Sequence, residues 1–196
     1  MSNSDNYSPA SRPESGQYAD DREFFESLTL PPHGLALALG IGCLGGILAA
    51  VLSIAIRFAN SSVFQEVARQ GDKISYNTAL YITGLGCLSY IIGLVLSFVA
   101  GFLVGKRAVR RLYGFYAGAL AGGISYLVPA LISMLPGFAN GMSSTAPTTS
   151  NFILGIVIWT LIWALSGALL GLWGTFTATK KHPYYLAKKA AAAAAE

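Results

Sequence analysis

Four uninterrupted apolar runs, Leu35 to Ile56, Ala79 to Gly105, Leu112 to Leu135 and Phe152 to Ala178, contain none of the chain's thirteen Lys and Arg or nine Asp and Glu. Each run exceeds the roughly 20 residues that a helix needs to cross a ~30 Å hydrocarbon layer. The runs lack period-two alternation and are too long for single barrel strands, whereas a helix satisfies its own backbone polar groups in lipid. Charged residues make up 11% of the 196 positions, against about 25% in soluble domains. The chain therefore reads as an all-α integral membrane protein, a four-helix bundle. It has a leader over 1–34, a transmembrane domain over 35–178 (spans near 35–56, 79–105, 112–135 and 152–178) and a basic tail over 179–196. This organisation excludes a separate soluble catalytic domain, a disulfide scaffold and a nucleic-acid binder.

An even number of spans places both ends and the second loop on one side. That side carries ten of the thirteen basic residues: Arg12, Arg22, Lys106, Arg107, Arg110, Arg111, Lys180, Lys181, Lys188 and Lys189. The other side has only Arg57, Arg69 and Lys73. The positive-inside rule then makes the N-terminus and the C-terminus cytoplasmic. Lys106, Arg107, Arg110, Arg111, Lys180 and Lys181 are the expected contacts for anionic headgroups of the bilayer or for an acidic partner. Arg57, at the outer end of the first span, runs against this pattern.

The leader is rich in Ser, Asn and Pro and reads as disordered, with a short helix expected near 20–28 before Pro31-Pro32. In the first outer loop, Ser62 and Gln65 stand at capping-box spacing, Val63, Phe64 and Val67 share one face, and Gly71 is the expected stop. Asn60-Ser61-Ser62 matches a glycosylation acceptor pressed against the membrane. The third loop is uncharged, with an Asn140-Gly141 turn. Both cysteines, Cys43 and Cys87, fall inside spans at opposite depths, too far apart for a disulfide, and read as buried small hydrophobes.

Chemistry is sparse. No Asp, Glu, Lys, Arg or His lies in the runs, so proton relays and ion-coupled transport lack their groups. His33 and His182 have no partners at metal-ligand spacing. No catalytic residue, metal or cofactor is expected. Hydroxyls such as Ser53, Ser89, Ser125 and Ser133 should bond carbonyls one turn back.

Glycine is the positive signal, with 17 of the 22 inside the runs. Gly42 and Gly46 on the first span, Gly93, Ser97, Gly101 and Gly105 on the second, Gly114, Gly118 and Gly122 on the third, and Gly167 and Gly171 on the fourth recur at or near spacing of four. Such stripes let helix backbones approach closely. Spans two and three, joined by a tight basic hairpin, are expected to pair along them, Gly105 facing Gly114, Gly101 facing Gly118 and Gly93 facing Tyr126. Pro129 is expected to kink span three. A short echo, Gly40-Ile41-Gly42-Cys43-Leu44 against Gly84-Leu85-Gly86-Cys87-Leu88, hints at an internal repeat.

Two functions fit. One is a non-enzymatic structural or accessory subunit, packing through glycine faces against a second copy of itself in a homo-oligomer or within a larger membrane complex. The other is a passive channel or small uncoupled transporter.

Overall fold

The computed structural model describes residues 33–134, 149–186 and 193. The expected leader helix, the Asn140-Gly141 turn and nearly all of the alanine-rich end lie outside the described residues. Among the described residues the chain forms no strand, and its helices are α1 (Gly34–Ala59), α2 (Ser61–Gln70), α3 (Tyr76–Ala108), α4 (Arg111–Ile132) and α5 (Thr149–Thr179), with a 3-10 turn at Gly71–Lys73 and a short helical stretch at 183–186. Helices α1, α3, α4 and α5 are each long and apolar enough to cross a membrane, and they pack on one another as a four-helix bundle.

The helices overrun the apolar runs at several ends. α3 starts where the Ser75 hydroxyl caps the Thr78 N–H at 3.2 Å, and its 33 residues span ~50 Å at ~1.5 Å per residue. α1 continues to Ala59 and so takes Arg57 into its last turn.

In the bundle, α5 lies in the cleft between α3 and α4, and α1 packs against the opposite side of the same pair. The reason is residue size. The buried hydrophobic residues are Ala38, Ala49, Ala50, Ala100, Ala108, Ala117, Ala121, Ala168 and a single larger one, Val104, while Leu44 and Leu161 are 69% and 64% exposed. Lipid solvates leucine as well as a protein interior does, so close backbone packing, not burial of large side chains, draws the helices together.

The glycine stripes meet α5. A Cβ placed at Gly93, Gly101 or Gly105 would run into Trp163, Gly171 or Thr175, and one at Gly167 would reach the Ser97 hydroxyl. These pairs share one offset of 70, as parallel helices require. From the other side, a Cβ at Gly114, Gly118 or Gly122 would strike Thr175, Gly167 or the Trp163 carbonyl, and one at Gly171 would strike Gly114. The expected Gly-to-Gly seam between spans two and three is thus corrected: both stripes point into the cleft that α5 fills, and Gly93 meets Trp163 instead of Tyr126. Gly42 and Gly46 sit on α4, where a Cβ would lie 2.6 Å from the Ala117 carbonyl oxygen and 2.7 Å from Ile124 Cβ. Gly40, Gly84, Gly86 and Gly155 have nothing within 4 Å. The two copies of the echo therefore occupy different surroundings, Gly42 packed and Gly86 open. Neither cysteine is buried as expected: Cys43 is half-buried, and Cys87 is exposed on the outside of α3.

Packing is uneven along the bundle axis. On α3 every buried residue lies from Gly93 to Ala108, and on α5 from Gly167 to Thr179. One end, carrying the α3–α4 hairpin, is closed tightly; the distal end is loose. At the hairpin, Val109 adopts φ 58, ψ −27, a left-handed conformation that costs an L-residue roughly 1–2 kcal/mol. Val109→Gly removes that strain, and the thermal midpoint in detergent, followed by circular dichroism, is expected to rise by a few degrees; a fall would mean that the side chain's packing outweighs it.

The loop between α1 and α3 also differs from its sequence reading. α2 follows α1 after Asn60 alone, which occupies the cap position without a side-chain cap, so Ser62 and Gln65 form no capping box. The Asn60 amide instead donates to the Ile56 carbonyl (2.7 Å) and accepts from the Tyr81 hydroxyl (2.6 Å). Both polar atoms of the glycosylation-type asparagine are therefore engaged. Gly71, with φ 56, ends α2 as expected.

Candidate ligand cavity

At the loose distal end the four long helices and α2 border a half-open cavity of about 370 Å³. Its polar lining comes from Arg57 and Ser53 on α1, Ser89 on α3, and Ser125, Tyr126 and Ser133 on α4. Its apolar lining includes Ile56, Phe64 from α2, Ile82, Leu85, Ile156 and Trp163.

Local structure explains the placement. Buried positions on α1 run Gly42, Gly46, Ala50, Ser53, and the next helical step of four is Arg57. Side chains on a helix lean toward its N-terminus, so Arg57 leans back along α1 toward Ser53 and is half-buried. Pro129 sits inside α4, buried, with no N–H for the Ser125 carbonyl one turn back. Trp163 lies between two tyrosines, edge-on to Tyr90 at 4.7 Å and stacked with Tyr126 at 5.7 Å. Val63, Phe64 and Val67 form the half-buried face of α2, and Phe64 brings it over the cavity.

The hydroxyls divide into two sets. Ser125 donates to the Gly122 carbonyl (2.7 Å) and Ser133 to the Ala130 carbonyl (2.6 Å), so their protons are spent on the backbone. Ser53, Ser89 and Tyr126 make no hydrogen bond among the described residues, and Arg57 has neither a hydrogen bond nor a carboxylate partner there. The Thr160 hydroxyl oxygen is buried with no hydrogen-bond partner. Thr160 lies on the same face of α5 as Ile156 and Trp163.

The expected basic contacts sit at the hairpin end. Lys106, Arg107, Arg110, Lys180 and Lys181 are exposed. Arg111 differs: its guanidinium stacks 4.0 Å from the Tyr185 ring and 4.5 Å from Phe176, and its Nε donates to Thr179 at 3.4 Å. The Tyr185 hydroxyl in turn donates to the Val109 carbonyl at 2.9 Å. Arg111 thus fastens the segment after α5 to the hairpin.

Sequence reasoning named Arg57 only as an exception to the charge pattern and Tyr126 only as a partner for Gly93, and assigned neither to a site. Arg57 fell one residue beyond an apolar run and was counted as loop, although the spacing from Gly46 through Ser53 carries it onto the packed face. Fold and surface together define a polytopic α-helical membrane protein with an internal cavity. No protein-family model, curated protein or solved structure matches the chain.

Proposed function

We propose that the chain is a non-enzymatic accessory membrane protein that works as a one-ended receptacle. It holds a small ligand at the distal, extracytoplasmic end, while its hairpin end rests against the cytoplasmic leaflet. The observation that carries this reading is the asymmetry of the bundle. Backbone-to-backbone packing around Gly101, Gly118 and Gly171 leaves no room for a path at one end, and a cavity opens at the other. The lining offers hydroxyls and a guanidinium but, among the described residues, no carboxylate or imidazole to take a proton. The exposed Lys106, Arg107, Arg110, Lys180 and Lys181 suit anionic headgroups, which supports a cytoplasmic hairpin. With the glycine stripes occupied inside the chain, association with a second copy or another subunit falls to the leucine-rich outer surface, including Leu161, Leu165 and Leu169 of α5.

Reconstitution separates this reading from a passive channel. Liposomes carrying the protein are expected to retain an entrapped small anionic dye and a potassium gradient as well as empty liposomes do. Leakage that rises with protein density would overturn the receptacle and restore the channel. Mass spectrometry of material purified in mild detergent then reads whether a ligand, a protein subunit or a second copy accompanies it.

A further inference from the structure

We infer that the distal cavity binds a phosphate-bearing amphiphile, its oxyanion held by Arg57 and its apolar body against the hydrophobic wall. The inference rests on the receptacle reading and adds the chemical class of the ligand.

Two observations converge. First, Arg57 is the sole cationic lining residue, half-buried and without a carboxylate partner among the described residues. A half-buried cation at the end of a bundle is held by a counter-ion, a carbonyl, water or a ligand, and a guanidinium fork matches a phosphate through paired N–H donors. Second, the groups that keep free donors, Ser53, Ser89 and Tyr126, join Arg57 in a site rich in donors. A set of donors without an anionic side chain favours an oxyanion over a cation or a sugar.

The remaining wall decides between a free anion and an amphiphile. Ile82 and Leu85 from α3, Ile156 from α5 and Phe64 from α2 would strip water from a small hydrated ion without replacing it. An acyl chain gains from the same surface. The volume of about 370 Å³ suits a headgroup with its first carbons, at the lower end of the ~300–1,000 Å³ of small-molecule sites. The distal half of α3, with no buried residue before Gly93, leaves room for the chains to pass sideways into lipid.

The test uses the full chain in a neutral detergent with Trp159→Phe and Trp173→Phe, both exposed positions, so that Trp163 alone reports from the cavity wall. Dioctanoyl phosphatidic acid is expected to change Trp163 emission saturably. Dioctanoylglycerol, with the same chains and no phosphate, should bind roughly tenfold or more weakly, and Arg57→Gln should bring phosphatidic acid down to that level. Ser89→Phe, which fills the cavity but keeps Arg57, should abolish the response while far-ultraviolet circular dichroism stays unchanged. Equal binding of the diacylglycerol, indifference to Arg57→Gln or undiminished binding by Ser89→Phe each overturns the proposal. Inorganic phosphate binding as tightly as the phosphatidic acid overturns the amphiphile in favour of a free anion. Because liposome leakage is measured separately, loss of this ligand and loss of the receptacle reading are told apart.

Discussion

Gly171→Leu is expected to take the bundle apart. A Cβ at this position would lie 2.7 Å from the Gly118 Cα and 2.9 Å from the Gly118 nitrogen, and it would also strike the Gly114 carbonyl, while Gly101 presses on Gly171 from α3. These neighbours are backbone, which cannot change rotamer to make room. The cost should exceed the ~1–3 kcal/mol usual for overpacking a core, because both the α4 and the α3 contact must open. Gly155→Leu, on the same helix with nothing within 4 Å, should be near neutral. Thermal unfolding in detergent, or the denaturant needed to lose protease resistance, reads the difference. A Gly171→Leu protein as stable as the parent would mean that α5 does not occupy the cleft.

Engineered disulfides test the same arrangement without perturbing its centre. A Cβ at Gly123 would lie 3.5 Å from Ala164 Cβ, and one at Gly45 would lie 3.6 Å from Ala100 Cβ, both close to the ~3.5–4.5 Å of a disulfide. With Cys43 and Cys87 replaced by alanine, Gly123→Cys with Ala164→Cys should oxidise nearly completely within one chain, joining α4 to α5. Gly45→Cys with Ala100→Cys should do the same for α1 and α3. Intact mass falling by two hydrogens, without dimer, is the readout. Gly40→Cys with Gly155→Cys, which stand at opposite ends of the bundle, should remain free thiols. Failure of the first pair while both cysteines react with maleimide would remove α5 from its place beside α4.

The four spans were legible because charge is excluded from hydrocarbon, and Leu35 to Ile56 needs no partner to declare itself a helix. Helix partners were not legible. A stripe such as Gly93, Ser97, Gly101, Gly105 identifies which face is small, but any two stripes of period four can be aligned, antiparallel at a constant sum or parallel at a constant offset. The apparent register of Gly101 with Gly118 therefore carried no information about contact. Sequence adjacency favoured the hairpin partner, whereas the available small surface of Gly167, Gly171 and Thr175 favoured α5. The cavity was hidden for a related reason: Arg57, Tyr126 and Trp163 lie on three different helices, and only tertiary packing brings them to one wall. The hydroxyl chemistry was legible for half of the serines: Ser125 and Ser133 bond carbonyls one turn back, as membrane serines commonly do, whereas Ser53 and Ser89, at the cavity, make no hydrogen bond among the described residues.

The seat of α5 in the cleft between α3 and α4 imposes an order in time. Synthesis delivers the helices in chain order, so α1, α3 and α4 reach the bilayer while residues 163–175 are still to be translated. Until then, the cleft walled by Gly101, Gly105, Gly114 and Gly118 faces lipid tails, which cover it without the close backbone contacts that α5 later makes. The nascent protein thus carries an open seam through most of its biogenesis and loses it only when the last helix arrives. A message that stops before residue 149 makes a three-helix remnant with that seam permanently exposed, a substrate for membrane quality control instead of a protein with partial function.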